Sequence, residues 1–190
     1  MIEWLESIDQ ALFLWLNSCH HPVADTFMVI ISGKWTWIPL YLIIAVLAQR
    51  KWGWKGLGLF LLFAAVTVTL TDQSSVKLFK NVFERYRPCH NLNIGHLVHT
   101  VNDHCGGMYG FVSSHATNHF GIAVFIGLSL FDNKKRGLLI LLLWAALVSY
   151  SRIYLGVHYP ADVAVGALLG SALGLLTAKS FNFIHRKYMD

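Results

Sequence analysis

Long apolar runs with charge pushed to their ends decide what this chain can fold into. Residues 35–49, 56–76, 114–131, 138–150 and 161–178 contain only two charged residues, Asp72 and Asp162. A helix needs roughly 20 residues to cross about 30 Å of hydrocarbon, so each run is a candidate span, the third and fourth being short enough to require tilt or buried ends. Composition agrees: 13% of residues are charged and the mean hydropathy is +0.51, whereas a soluble domain carries about 25% charge. The expected fold is all-α, a polytopic membrane helical bundle with five spans. Six spans are the alternative, and Val23–Ile31, too short to cross alone, is expected to lie in the headgroup region or to extend the first span outward. No linker or repeat divides residues 1–190, so one domain is expected.

Ahead of the spans, Leu5, Ile8, Leu12, Trp15 and Leu16 recur at helical spacing, and Glu3, Glu6 and Asp9 mark a polar face. This predicts an interfacial helix, with residues 1–33 lying at the membrane surface. Lys and Arg in short loops set orientation. Arg50, Lys51 and Lys55 share one turn, Lys134, Lys135 and Arg136 another, and Lys179, Arg186 and Lys187 close the chain. The three clusters fall on one side, which is therefore expected to be cytoplasmic. The loop 80–113, the turn 152–160 and an N-terminus with four acids in its first 33 residues face outward. That acidic N-terminus lacks the basic flank of a cleavable signal peptide. Cys89 and Cys105 share the outer loop, where an oxidising compartment permits a disulfide; two separate thiols are the alternative. Cys19 has no obvious partner.

Polar side chains collect at the outer ends of three spans. Lys80, Arg85 and Arg87 follow the second, His115 opens the third, Arg152 ends the fourth, and His158 and Asp162 open the fifth. One such cation would be read as snorkelling to headgroups. Several on one face repel each other and need an anion, and phosphate fits because charge-assisted hydrogen bonds to it contribute about 1.5–3 kcal/mol each. Two histidines add a group able to attack and a group able to protonate a departing oxygen. Asp162, four residues after His158, can orient that ring if the segment is helical.

Lys80 through Arg87-Pro88, then Ser113-Ser114-His115, then Ser151-Arg152 with His158 and Asp162 resemble the three-part signature of the type 2 phosphatidic acid phosphatase superfamily. That superfamily also includes vanadium haloperoxidases and glucose-6-phosphatases. The signature covers residues 80–162, which are expected to hold the catalytic motifs, and the helical layout extends the likeness over nearly the whole chain. The resemblance implies a phosphate cradle of Lys80, Arg87, Arg152, Ser113 and the backbone of Ser114. It also implies His158 as a nucleophile oriented by Asp162, and His115 as the acid for the leaving oxygen. No metal or other cofactor is implied. The middle motif departs from the family's Pro-Ser-Gly-His, with Val112 for Pro and Ser114 for Gly.

The implied partner is a lipid phosphate in the bilayer of the inner membrane, and no nucleic acid is implied. Undecaprenyl diphosphate comes first, ahead of lipid A, phosphatidylglycerol phosphate and phosphatidic acid. A vanadate haloperoxidase and a non-catalytic lipid transporter are the remote alternatives. His115 and His119 have His-x-x-x-His spacing, which can bind zinc, but packing of His119 in the helix wall is preferred. Asp72 and Gln73 are read as a structural hydrogen-bonded pair, with Lys77 as a candidate partner. Glu84 is read as a local ion-pair partner or exposed charge, and Arg85 as a solvated charge.

Overall fold

The computed structural model describes residues 2–188 and is built of helices, with no strand among the described residues. Helix α1 (Ile2–Ser18) and α2 (Pro22–Ser32) lead into α3 (Ile38–Ser74), which continues through a π-helical turn (Ser75–Lys80) and the short α4 (Asn81–Phe83). After an irregular loop come α5 (Ser114–Ser129), α6 (Lys134–Tyr154) and α7 (Pro160–Tyr188).

Three helical stretches are long and apolar enough to cross a membrane: Trp35–Phe83, Lys134–Tyr154 and Pro160–Tyr188. The first contains two of the expected runs. Gly53 interrupts its helical geometry at φ 67°, a conformation that side-chain-bearing residues rarely adopt. Ile44 and Ala48 before the break and Phe60 after it share one core, so the two arms lie side by side. The fourth expected run proves longer than its apolar stretch, because Asn133 caps α6 by accepting from the Arg136 N–H at 3.1 Å and the helix begins at Lys134.

Helix α5 has 16 residues, about 24 Å of rise, short of a hydrocarbon core. It does not need to meet lipid along its length, since residues 121–127 are all buried among α3, α6 and α7. Apolar association adds little between helices in lipid, so close backbone packing has to hold them. Gly166, Gly170 and Gly174 form a stripe on α7 that receives α5. A Cβ at Gly170 would lie 2.1 Å from the Thr117 carbonyl oxygen and one at Gly174 2.2 Å from that of Gly121. Around this seam Phe60, Phe125 and Phe181 stack and cross at 5.2–5.8 Å.

The three basic clusters meet at one end of the bundle. Lys51 bonds Asp132 and the Leu130 carbonyl, Trp52 packs on Phe181 and His185, and Lys134, Lys179, Arg186 and Lys187 line one cavity of ≈560 Å³. At the other end, α1 turns a stripe of Trp4, Leu5, Ile8, Leu12 and Trp15 outward and buries Asp9, Phe13 and Asn17 against the bundle. The polar face expected on α1 is thus corrected at Asp9. Its carboxylate is not solvated but sits inward, because Arg85 waits there to neutralise it.

Valine at position 170 has no flexible neighbour to displace, only backbone. Gly170→Val is expected to destabilise the protein by at least about 1–3 kcal/mol, whereas Gly58→Ala, with open space around its Cβ, should not lower stability. Thermal unfolding in detergent measures both, and an unchanged midpoint for Gly170→Val would contradict the close α5–α7 seam.

Candidate active site

The loop after α4 runs extended at residues 85–87, where side chains alternate in direction with period two. The Arg87 N–H donates to the Met108 carbonyl at 3.0 Å and the Gly110 N–H to that of Arg85 at 2.8 Å, forming a single antiparallel bridge between Tyr86 and Tyr109. Arg85 and Arg87 therefore point to one side and Tyr86 to the other. A Cys89–Cys105 disulfide, with Cα atoms 6.0 Å apart, fastens the same two segments, and Arg87 Nη1 reaches the Cys105 carbonyl at 3.4 Å. Of the two cysteine alternatives left open by the sequence, the bonded pair is the one observed.

His158 sits in the turn between α6 and α7. Its N–H and that of Val157 both donate to the Arg152 carbonyl, at 3.2 and 3.1 Å, which binds the turn to the end of α6. The ring is 1% exposed. Its Nδ1 lies 3.3 Å from Asp162 Oδ2, and that same oxygen accepts from the Tyr159 N–H at 3.0 Å. Burial, reinforced by the charges of Arg87, Arg152 and Lys80, holds the imidazole well below its ordinary value, so the ring is neutral at neutral pH. With Nδ1 facing Asp162, Nε2 is the ring nitrogen left without a carboxylate partner.

The cations expected to converge do so. Lys80 senses Arg87, Arg152 and Asp162 electrostatically, and its Nζ donates to Ser114 Oγ at 2.7 Å. Arg152 bonds Ser32 Oγ through Nη1. The buried Nε atoms of Arg87 and Arg152 have no hydrogen-bond partner. A buried unpaired guanidinium N–H is costly, and two near one histidine fit an anion that is accepted between them. Ser114 Oγ also lies 2.7 Å from Ser75 Oγ. The Ser113 hydroxyl caps α5, accepting from the Ala116 N–H at 3.4 Å, and its own N–H donates to the Asp162 carbonyl at 3.0 Å. The first turn of α5, whose leading N–H groups lack helical partners, thus abuts the cluster. His115 faces a cavity of ≈480 Å³ together with Arg152, rimmed by Lys34, Asn102 and His104.

The remaining polar residues have other duties. His119 bonds the His115 carbonyl through Nδ1 at 2.8 Å and packs on Trp144, as a wall residue would. Asp72 accepts from Asn118 Nδ2 at 3.4 Å, and Asn118 Oδ1 accepts from Thr71 Oγ1 at 2.7 Å, so its partner is Asn118. Arg85, expected in solvent, is instead ion-paired to Asp162 at 2.9 Å and Asp9 at 2.8 Å, because a buried carboxylate requires a cation. Asp9 escaped sequence reasoning: 153 positions separate it from Asp162. Arg85 did leave a signal in the Arg-Tyr-Arg alternation.

The sequence profile of the PAP2 superfamily matches residues 56–186, more than half of the chain. The chain belongs to the PAP2 superfamily. This PAP2 protein is 40% identical over 189 residues to the lipid A 4'-phosphatase of Bacteroides thetaiotaomicron, covering 98% of this chain and 81% of that one. It is 35% identical over 191 residues to the lipid A 4'-phosphatase of Porphyromonas gingivalis, covering 99% and 79%. Among solved structures, a PAP2-type phosphatidylglycerolphosphate phosphatase of Bacillus subtilis aligns with a TM-score of 0.66 at 27% identity, over 97% of this chain and 87% of that one. The PAP2 chain is a membrane-embedded hydrolase of phosphoric esters.

Orthophosphate is the product that hydrolysis of a phosphoric monoester releases. Saturating phosphate is expected to raise the unfolding midpoint of the wild-type protein by binding only its folded form, and Arg152→Ala to abolish the rise. An equal rise in both proteins would place phosphate somewhere other than this cluster.

Proposed function

We propose that the protein hydrolyses a phosphate monoester of a lipid A-type glycolipid through a phosphohistidine on His158. The observation that carries the chemistry is the buried His158–Asp162 pair facing Lys80, Arg87 and Arg152. Nε2 of His158 attacks phosphorus as the bond to the lipid oxygen breaks, and His115 gives that oxygen a proton. Water then attacks the phosphohistidine, returns a proton to His115 and releases orthophosphate. Asp162 holds the His158 ring and balances its charge. Lys80, Arg87, Arg152, Ser113 and the backbone of Ser114 hold the phosphoryl oxygens, with the α5 N-terminus adding its partial positive charge. No metal enters the scheme.

The substrate class rests on similarity to two lipid A 4'-phosphatases over nearly the whole chain. Undecaprenyl diphosphate, first on the sequence alone, becomes the second reading, supported by Lys34 at the cavity rim, where a second phosphate would meet a cation. The two arms of α3 with α5, α6 and α7 make five spans. Their basic end is cytoplasmic by charge, which turns the site to the outer face of the inner membrane.

Purified protein in detergent should release orthophosphate from bis-phosphorylated lipid A faster than from undecaprenyl diphosphate, and His158→Ala should release none. The reverse preference would move the assignment to the diphosphate, and turnover by His158→Ala above about a tenth of wild type would remove its nucleophile. His115→Ala should lose about 10²- to 10⁴-fold on the lipid and recover in part on p-nitrophenyl phosphate, whose leaving group needs no proton. Equal impairment on both substrates would assign His115 to phosphate binding instead.

A further inference from the structure

Asp162 is fully buried, and its two oxygens serve different partners. Oδ2 faces His158 and the Tyr159 N–H, while Oδ1 accepts from Arg85 Nη1 at 2.9 Å. The same guanidinium gives Nη2 to Asp9 Oδ2 at 2.8 Å, and Asp9 Oδ1 accepts the N–H of Ala161, the residue before Asp162, at 2.9 Å. Arg85 is also held from the side. Its guanidinium carbon lies 4.1 Å from the centroid of the Tyr159 ring, and that ring meets Phe13, one turn beyond Asp9 on α1, edge-on at 5.4 Å. The Tyr159 hydroxyl accepts from Asn91 Nδ2 at 3.1 Å.

Arg85 does not line the cavity onto which His115 and Arg152 open. It lines a separate one of ≈380 Å³ with Asp9, Leu5, Phe83 and Phe111. Both of its Nη atoms are already given to carboxylates, whereas the buried Nε of Arg87 two residues later has no partner. What its planar fork can do is bind two carboxylates at a fixed angle, which lysine or a solvated charge cannot reproduce.

We propose that Arg85 and Asp9 are positioning residues for the reaction: they fix and balance Asp162, and through it the ring of His158. Helix α1 then belongs to the catalytic unit although the family match begins at residue 56. Its outward apolar stripe seats in the membrane surface, and its inward Asp9 closes the link to the site. This rests on the reading of His158 as nucleophile and Asp162 as its orienting carboxylate.

A double-mutant cycle on the full-length protein in detergent tests it, with kcat and KM for p-nitrophenyl phosphate and the thermal midpoint as readouts. Arg85→Gln should lower kcat by about 10- to 100-fold, the loss typical when an outer-shell partner of a metal-bound histidine is removed, with KM changed by less than about 3-fold. Arg85→Lys should recover part of the loss by restoring the charge. In an Asp162→Asn background, Arg85→Gln should cost less than about 3-fold more, because a link that runs through Asp162 is already cut. Wild-type kcat in Arg85→Gln, or losses that multiply in full in the double variant, would overturn the proposal and leave Arg85 a structural tie. Wild-type kcat in Asp162→Asn would instead sink the underlying reading of the dyad, and the proposal with it. Should Arg85→Gln fail to fold, Asp9→Asn serves, since it keeps an acceptor for the Ala161 N–H while removing the charge. A fall in kcat at constant KM, absent in the Asp162→Asn background, would support the link, and wild-type kcat would overturn it.

Discussion

A carboxylate with no exposure at the mouth of a membrane bundle is the constraint on which the rest of the site depends. Asp162 can stay there only because Arg85, the Tyr159 N–H and the His158 ring surround it. Each of those partners comes with a segment attached. Arg85 brings the extended strip paired to residues 108–110, Tyr159 brings Phe13 of α1, and His158 brings the turn anchored to Arg152. Satisfying one buried charge thereby gathers α1, the loop after α4, α6 and α7 around one histidine. Lys80, Arg85, Arg87 and Arg152 outnumber Asp9 and Asp162 by two, the charge of a phosphate dianion.

The two ends of the bundle solve opposite problems. At the basic end, charges spread out over cavity walls and loops and pair singly, as Lys51 does with Asp132. At the site end they are packed inward, and the helices that carry them must approach closely enough to hold them there. The glycine seam between α5 and α7 provides that approach, bringing Ser113 at the start of α5 within 3.0 Å of the Asp162 carbonyl. Backbone contact in the lipid-embedded half thus sets the spacing of the polar groups above it.

Much of this was legible in the sequence because hydrocarbon is an unforgiving solvent. Apolar runs marked the helices, and charged residues at run ends marked the site, since nothing but pairing or function keeps them there. Lys80, Arg87, Arg152, His158 and Asp162, the residues that logic singles out, stand close enough to interact. The failures share a cause. The polar face of α1 gives no sign that Asp9 turns inward, nor the run around Arg85 that it is paired, because the partners of Arg85 lie 76 and 77 positions away. Lys77 is the nearby candidate partner of Asp72, while the structural hydrogen bond observed is to Asn118 of another helix. Periodicity reports which face of a helix is polar, but not which polar residue has a distant partner.

In the proposed reaction Lys80, Arg87 and Arg152 hold a phosphoryl group against Nε2 of His158. Orthovanadate tests it most directly, because it takes the five-coordinate geometry of a phosphoryl group under attack. An experimental structure of the protein with vanadate should place vanadium in bonding distance of His158 Nε2. Its equatorial oxygens should lie on the three cations, and its other apical oxygen should point to His115. Vanadate bound at the basic end of the bundle, or in the cluster but bonded to no histidine, would contradict this arrangement.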